Sequence, residues 1–224
     1  MNILEIEILT DDLNATESFY SETLGLTLIN KNSNSISYLI GHSTLTFIKS
    51  NKESPKYYFA FNIPNNKIDE AVLWTASKCN LISASDGSII TNFENWKAKA
   101  IYFYDNNENI LEFIARFDLK NLTDKPFDKN SIQSISEIGI VTENPLVFSE
   151  NIVNSNDLKY FSKGPKSEKF VAVGDDNGLL VISATNRNWF PTDNKSKHHY
   201  SKKYSKSNLV SLYQQHFRLI SINI

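Results

Sequence analysis

One cysteine, Cys79, stands in 224 residues, which excludes an intramolecular disulfide and any zinc cage built on thiolates. Neither sign of charge is in excess: 23 Lys and Arg face 25 Asp and Glu, a net charge of −2. No global field therefore gathers nucleic acid or holds the chain on an anionic membrane. No apolar run approaches the length of a membrane span, and a strand pattern begins within two residues of Met1 with no basic or apolar leader before it. The expectation is a soluble protein of a reducing, cytoplasmic compartment. Also missing are a phosphate-cradling glycine loop, a G-x-S-x-G elbow and an HExxH helix. What remains is an ordinary globular composition, long enough for one generous domain or two modest ones.

What is present is an internal echo. The stretch ILEIEILTDDLNATESFYSETLGL at 3–26 returns, altered, as ISEIGIVTENPLVFSENI at 135–152. Each copy alternates like a half-buried strand, breaks at an acidic or amide residue, and runs on as a short amphipathic helix. In the first copy Leu4, Ile6 and Ile8 alternate with Glu5, Glu7 and Leu9. Asn14 and Glu17 match a capping box, and Gly25 supplies a left-handed stop, giving a helix of about three turns. Strands are expected at 26–30, 36–40 and 44–49, which completes one βαβββ unit. A second unit has strands at 57–63, around Ile89, at 100–104 and at 110–115, with a helix capped near Asn66 whose buried side includes Cys79. The stretch 117–131 loses periodicity, contains Pro126 and reads as a linker.

The third unit opens at 135–142, and Asn144 before Pro145 is a strong helix start. Strands follow at 159–162, 170–173 and 179–184, with Gly174 to Gly178 as a hairpin turn. A Lys- and His-rich tract at 193–206, including His198 and His199, precedes a helical turn at 209–215 and a last strand at 217–224. No fourth full unit is present. The third must bury itself against the N-terminal domain, against a second chain in a homodimer, or under the C-terminal strand.

The strand–helix pattern, YFAFNI at 58–63 and DNNENILEF at 105–113 resemble the glyoxalase, bleomycin-resistance and extradiol-dioxygenase superfamily, also called the vicinal oxygen chelate family. The resemblance implies an α+β fold in which βαβββ modules form a barrel-like cleft. It places a complete domain at 1–116, the linker at 117–131 and an incomplete module at 132–224. The family's metal-ligand positions fall on Glu5, near Thr46, on Tyr58 and on Glu112, with no histidine among them. Strand parity sets Glu5, Tyr58 and Glu112 each on the face opposite its apolar neighbours. Such a set is poor for Zn or Fe(II), so the expected cofactor is none. Failing that, Glu5 and Glu112 would hold Mg²⁺, Mn²⁺ or Ca²⁺, with Tyr58 in proton transfer.

Two functional readings follow from the resemblance. One is a metal-independent small-molecule binder whose cleft is lined by Glu5, Glu7, Tyr58, Asn62, Trp96, Tyr102 and Glu112, taking an aromatic or cationic ligand. The other is a metal-dependent lyase, isomerase or dioxygenase-like enzyme. Beside these stand plainer roles: Glu5 and Glu7 as the solvated side of a strand, and Glu112 as the hydrogen-bond partner of Tyr58. Arg187 and Trp189-Phe190-Pro191 resemble a segment of two-part bacterial members of the family, and the aromatics there read as packing. No nucleic-acid or membrane partner is implied.

Overall fold

The computed structural model describes residues 1–51, 55–197, 212–214 and 217–223, with side chains described as far as residue 197. Among the described residues, fourteen strands join in one sheet that carries three α-helices, a mixed α+β fold. The first unit is β1 (Asn2–Thr10), α1 (Leu13–Glu17), β2 (Thr27–Lys31), β3 (Ser35–Ile40) and β4 (Ser43–Lys49). The second is β5 (Tyr58–Ile63), α2 (Ile68–Ala76), β6 (Leu81–Ile82), β7 (Thr91–Phe93), β8 (Ala98–Tyr104) and β9 (Ile110–Arg116). The third is β10 (Ser134–Thr142), α3 (Pro145–Asn156), β11 (Phe170–Asp175) and β12 (Gly178–Ala184), followed by β13 (Leu212–Gln214) and β14 (Phe217–Asn223). No helix among the described residues is long and apolar enough to cross a membrane.

Local chemistry places most of these elements where the pattern expects them, with a few shifts. The cap of α1 is Asp12 rather than Asn14, because its carboxylate accepts the N–H groups of Asn14 at 2.9 Å and Ala15 at 3.0 Å. The helix then widens into a π-helical stretch, Ser18–Thr23, and stops before Gly25 at φ +71°. Asn144 caps α3 by accepting from the N–H of Val147 at 3.1 Å. The strand expected around Ile89 is replaced by the short β6 and β7 on either side of it. The strand expected at 159–162 is only an isolated bridge, Tyr160 to Val173. Of the helical turn expected at 209–215, residues 212–214 are a strand and the others lie outside the described residues.

The pairing of units differs from the expectation. β5 does not close on β1; it pairs antiparallel with β10 of the third unit and parallel with β9. β1 pairs parallel with β4 and antiparallel with β14, touching β10 only at Ile3 and Ile135. The second and third units therefore face each other, and the first unit is completed by the C-terminal strands. The third unit thus finds a partner inside the chain. Stretch 117–131 is pinned rather than slack: Asn121 donates to the Ile63 carbonyl at 3.0 Å and to Gln133 at 2.7 Å. Asp128 also caps a short 3₁₀ turn, Lys129–Ser131.

Each face of the sheet packs separately. The helix-bearing face gathers Ile3, Ile6, Ile8, Phe59, Phe61, Phe113 and Ile138 with the apolar sides of α2 and α3. The opposite face gathers Tyr58, Ala60, Ala100, Tyr102, Ile114 and Val181. A β-bulge sorts β10 between them, since Ile135 opposes Phe61 while Glu137 already opposes Ala60, leaving Ser136 as the extra residue. Parity flips there. Ile135, Ile138 and Ile140 consequently share the helix-bearing face, while Glu137 and Gly139 fall on the other.

Candidate functional site

Four strands bring one row of side chains to the face opposite the helices. Glu137 on β10 lies opposite Ala60 on β5, Ala60 opposite Glu112 on β9, and Glu112 opposite Tyr102 on β8. Residues in register across a sheet point to one side. Ala60 has no side chain beyond Cβ, so a gap opens between the two carboxyl groups. The phenol of Tyr58, one pleat away on β5, fills it. Its hydroxyl hydrogen-bonds Glu112 Oε2 and, at 2.7 Å, Glu137 Oε2.

That contact pattern fixes a proton count. A phenol has one proton to donate, so one of its two carboxyl contacts is made by a protonated acid donating to the phenol oxygen. Glu112 is that acid. Burial, then the charge of Glu137, push its carboxyl up to about 8, against the lowering contact with the Tyr58 phenol. Glu137 is the carboxyl paired with a cation, bound by Arg116 Nη2. Burial and the neighbouring carboxylates likewise hold the Tyr58 and Tyr102 phenols well above the usual range, so both are neutral donors.

Arg116, fully buried at the end of β9, anchors the floor. Its Nε donates to Ser136 Oγ, the bulge residue, at 3.2 Å, and its Nη1 lies 3.5 Å from Asp176. Asp176 in turn accepts from Lys163 at 2.6 Å. A buried pair of this kind contributes modestly as a pair, but removing one member costs about 3–5 kcal/mol because the survivor is left charged and dry. The floor is thus electrically balanced, with a neutral Glu112 and an Arg-paired Glu137. It is not the anionic surface that Glu5, Glu7 and Glu112 together would make.

Above the floor is a cavity of about 300 Å³ with aromatic walls. Trp189 stacks on Tyr58 with ring centroids 5.1 Å apart and planes 19° from parallel. Phe190 meets Tyr102 edge-on at 5.6 Å and Phe93 at 5.8 Å. Trp96 closes another side and packs edge-on against Phe161 at 5.0 Å. Arg187 also lines it, its guanidinium carbon 4.6 Å from the centroid of the Phe170 ring.

Of the residues singled out in the sequence, Tyr58, Trp96, Tyr102 and Glu112 line this cavity. Glu5 and Glu7 do not; they lie on β1, whose neighbours are β4 and β14. Asn62 is buried nearby but spends its amide on the carbonyls of Asp176 and Asn177, each at 3.3 Å. Thr46 donates to Ser37 at 2.9 Å. The position given to Glu5 at the site is held by its counterpart in the echo, Glu137, because β10 rather than β1 neighbours β5. Trp189 and Phe190, read as packing, form cavity wall. Arg116, not singled out in the sequence, is part of the floor. His198 and His199 lie outside the described residues.

No family model matches the chain, and no curated protein does. Solved structures do. The crystal structure of a "putative dioxygenase" from Bacillus subtilis subsp. subtilis str. 168 aligns over 89% of this chain and 68% of its own, at TM-score 0.63 and 16% identity. A lactoylglutathione lyase from Agrobacterium tumefaciens aligns over 50% of this chain and 91% of its own, at TM-score 0.42 and 20% identity. The fosfomycin resistance protein FosX from Listeria monocytogenes, solved with Mn(II) and sulfate, aligns over 51% of this chain and 89% of its own, at TM-score 0.40 and 19% identity. The likeness is one of fold: the chain shares the fold of that Bacillus subtilis protein.

The resemblance in sequence implies, as the alternative to no cofactor, a divalent ion on Glu5 and Glu112, so the donor set here bears testing against one. Among the described residues no three His, Cys, Asp or Glu side chains converge on a point. The carboxyl groups that do approach each other are separated by the Tyr58 phenol, and Arg116 already occupies Glu137. A divalent ion there would meet a guanidinium and a protonated acid. The residues do not suit it.

Proposed function

We propose that the protein binds a small, planar aromatic molecule in the cavity above Tyr58, without a transition metal. The observation that supports this most is the convergence of rings from separate elements, Trp96, Tyr102, Trp189 and Phe190, around a few satisfied polar groups. A largely apolar pocket with a small number of fixed hydrogen-bonding groups is the usual form of a small-molecule site, and this one is at the small end of the size range, on the order of 300–1,000 Å³. The cationic preference suggested by the sequence rested on three carboxylates sharing the floor. With Glu5 and Glu7 elsewhere, shape and stacking carry the reading instead.

Titration of tag-free protein with one-ring aromatic probes, followed by tryptophan fluorescence and melting temperature, tests it. Trp96 and Trp189 line the site, so an occupant alters their emission and raises the melting temperature. Trp189→Ala should weaken binding about tenfold or more, since aromatic stacking with the attendant burial exceeds about 1.4 kcal/mol. Micromolar Zn²⁺ should leave the melting temperature unchanged, and elemental analysis should find well under one equivalent of Zn, Ni or Fe. A probe panel with no effect on either signal, or stoichiometric transition metal, would defeat the reading.

A further inference from the structure

Among the described residues, the cavity holds one charge that no anion balances. Its titratable lining groups are Tyr58, Tyr102, Glu112, Glu137 and Arg187. The two phenols and Glu112 are neutral, and Glu137 is neutralised from behind by Arg116. Arg187 is left. It is half-buried, and among the described residues no carboxylate lies within ion-pair reach of it. Its one side-chain hydrogen bond among them runs from Nη1 to the carbonyl of Asn188 at 3.3 Å. Loss of solvent shifts its guanidinium below its ordinary value, though not out of the charged range. The two buried cationic side chains among the described residues each have an anion: Arg116 has Glu137 and Lys67 has Glu70.

Geometry keeps Arg187 ready for a partner. Its guanidinium carbon lies over the ring of Phe170 at 4.6 Å, and of the five N–H donors of the group only one is spent among the described residues, on Asn188, which leaves others for a planar oxyanion. A half-buried cation lining a low-dielectric pocket attracts an anion more strongly than it would in water. Resting on the reading of this cavity as an aromatic-binding site, we propose that its ligand is an aromatic acid, with the ring between Trp189, Trp96 and Phe190 and its carboxylate, or a comparable oxyanion, on Arg187.

Benzoate, benzamide and benzamidine are near-isosteric probes of charge −1, 0 and +1, and their affinities at pH 7 decide the point. Benzoate should bind about tenfold more tightly than benzamide, with benzamidine weakest, as expected of a charge-assisted bidentate contact. Arg187→Gln should collapse the benzoate-to-benzamide ratio towards one, while Arg187→Lys keeps part of it because the charge remains and the fork is lost. Should the glutamine variant fold poorly, added salt on the unaltered protein gives the same answer: benzoate affinity falls and benzamide affinity holds. Benzamide or benzamidine binding as well as benzoate, or Arg187→Gln leaving the ratio intact, would overturn the acid while leaving the aromatic site standing. Binding of none of the three overturns both.

Discussion

Glu112 concentrates the chemistry of the site in one carboxyl group. In an unfolded chain it titrates near 4.5, and in the folded protein near 8. Between those values the folded state keeps a proton that the unfolded state has lost. The linkage relation then requires stability to fall as pH rises through that window, to be fully present below it, and to level off above about 8. Urea midpoints measured from pH 5 to 9 should show the decline, and Glu112→Gln, which keeps a neutral hydrogen-bonding group of the same shape, should flatten it. A Gln variant with the same slope as the unaltered protein would assign the effect elsewhere. Part of this was legible in the sequence: a glutamate interrupting the apolar run ILEF, with Tyr58 able to reach it, is what the structure shows. Arg187 was not legible as a site residue, because nothing in a strand-end arginine tells which side chains will fail to pair with it.

At the scale of elements, β10 shows where period-two reading works and where it fails. Alternation placed Tyr58 and Glu112 on one face correctly, since β5 and β9 are regular and in unbroken register. In β10 the bulge at Ser136 adds a residue, and a bulge has no signature in hydrophobic pattern alone. The echo held the clue. β1 shows register shifts around Glu5 against β14, and Ile3, Ile6 and Ile8 share a face as Ile135, Ile138 and Ile140 do. The repeat therefore copies the irregularity as well as the strand. It departs at Glu7, whose counterpart is Gly139, and that departure makes room for Trp189 against Tyr58. A Cβ on Gly139 would sit 2.8 Å from Trp189 Cη2 and 3.2 Å from Tyr58 Cδ1, so only glycine lets the indole lie over the phenol. Gly139→Ala should cost about 1–3 kcal/mol in unfolding free energy, typical of overpacking. It should also shift Trp189 fluorescence without any ligand present. An alanine variant with unchanged stability and emission would show that the stack does not depend on that gap.

For the whole molecule, the pairing of units decides what folds together. Sequence periodicity reports which face of a strand is apolar but not which strand lies beside it, so the first two units were paired by adjacency in the chain. The structure instead joins β5 to β10, and sets Ile135 and Ile138 from the third unit into the same core as Phe59, Phe61 and Phe113 from the second. Burying such a side chain contributes about 1.5–3 kcal/mol, a large share of the roughly 5–15 kcal/mol that stabilises a typical domain. Cutting after Arg116 would expose the β5 edge, strip Arg116 of Glu137 and leave a buried charge unpaired. A fragment of residues 1–116 should accordingly lack cooperative unfolding and show no native-like near-ultraviolet signal from its tryptophans. The intact chain should lose far-ultraviolet ellipticity and tryptophan fluorescence in one coincident transition, with Trp74 and Trp96 reporting on the second unit and Trp189 on the third. Two separated transitions, or a fragment that unfolds cooperatively by itself, would mean that the second unit is stable without β10 and that the shared core is not what holds the two halves of the cavity together.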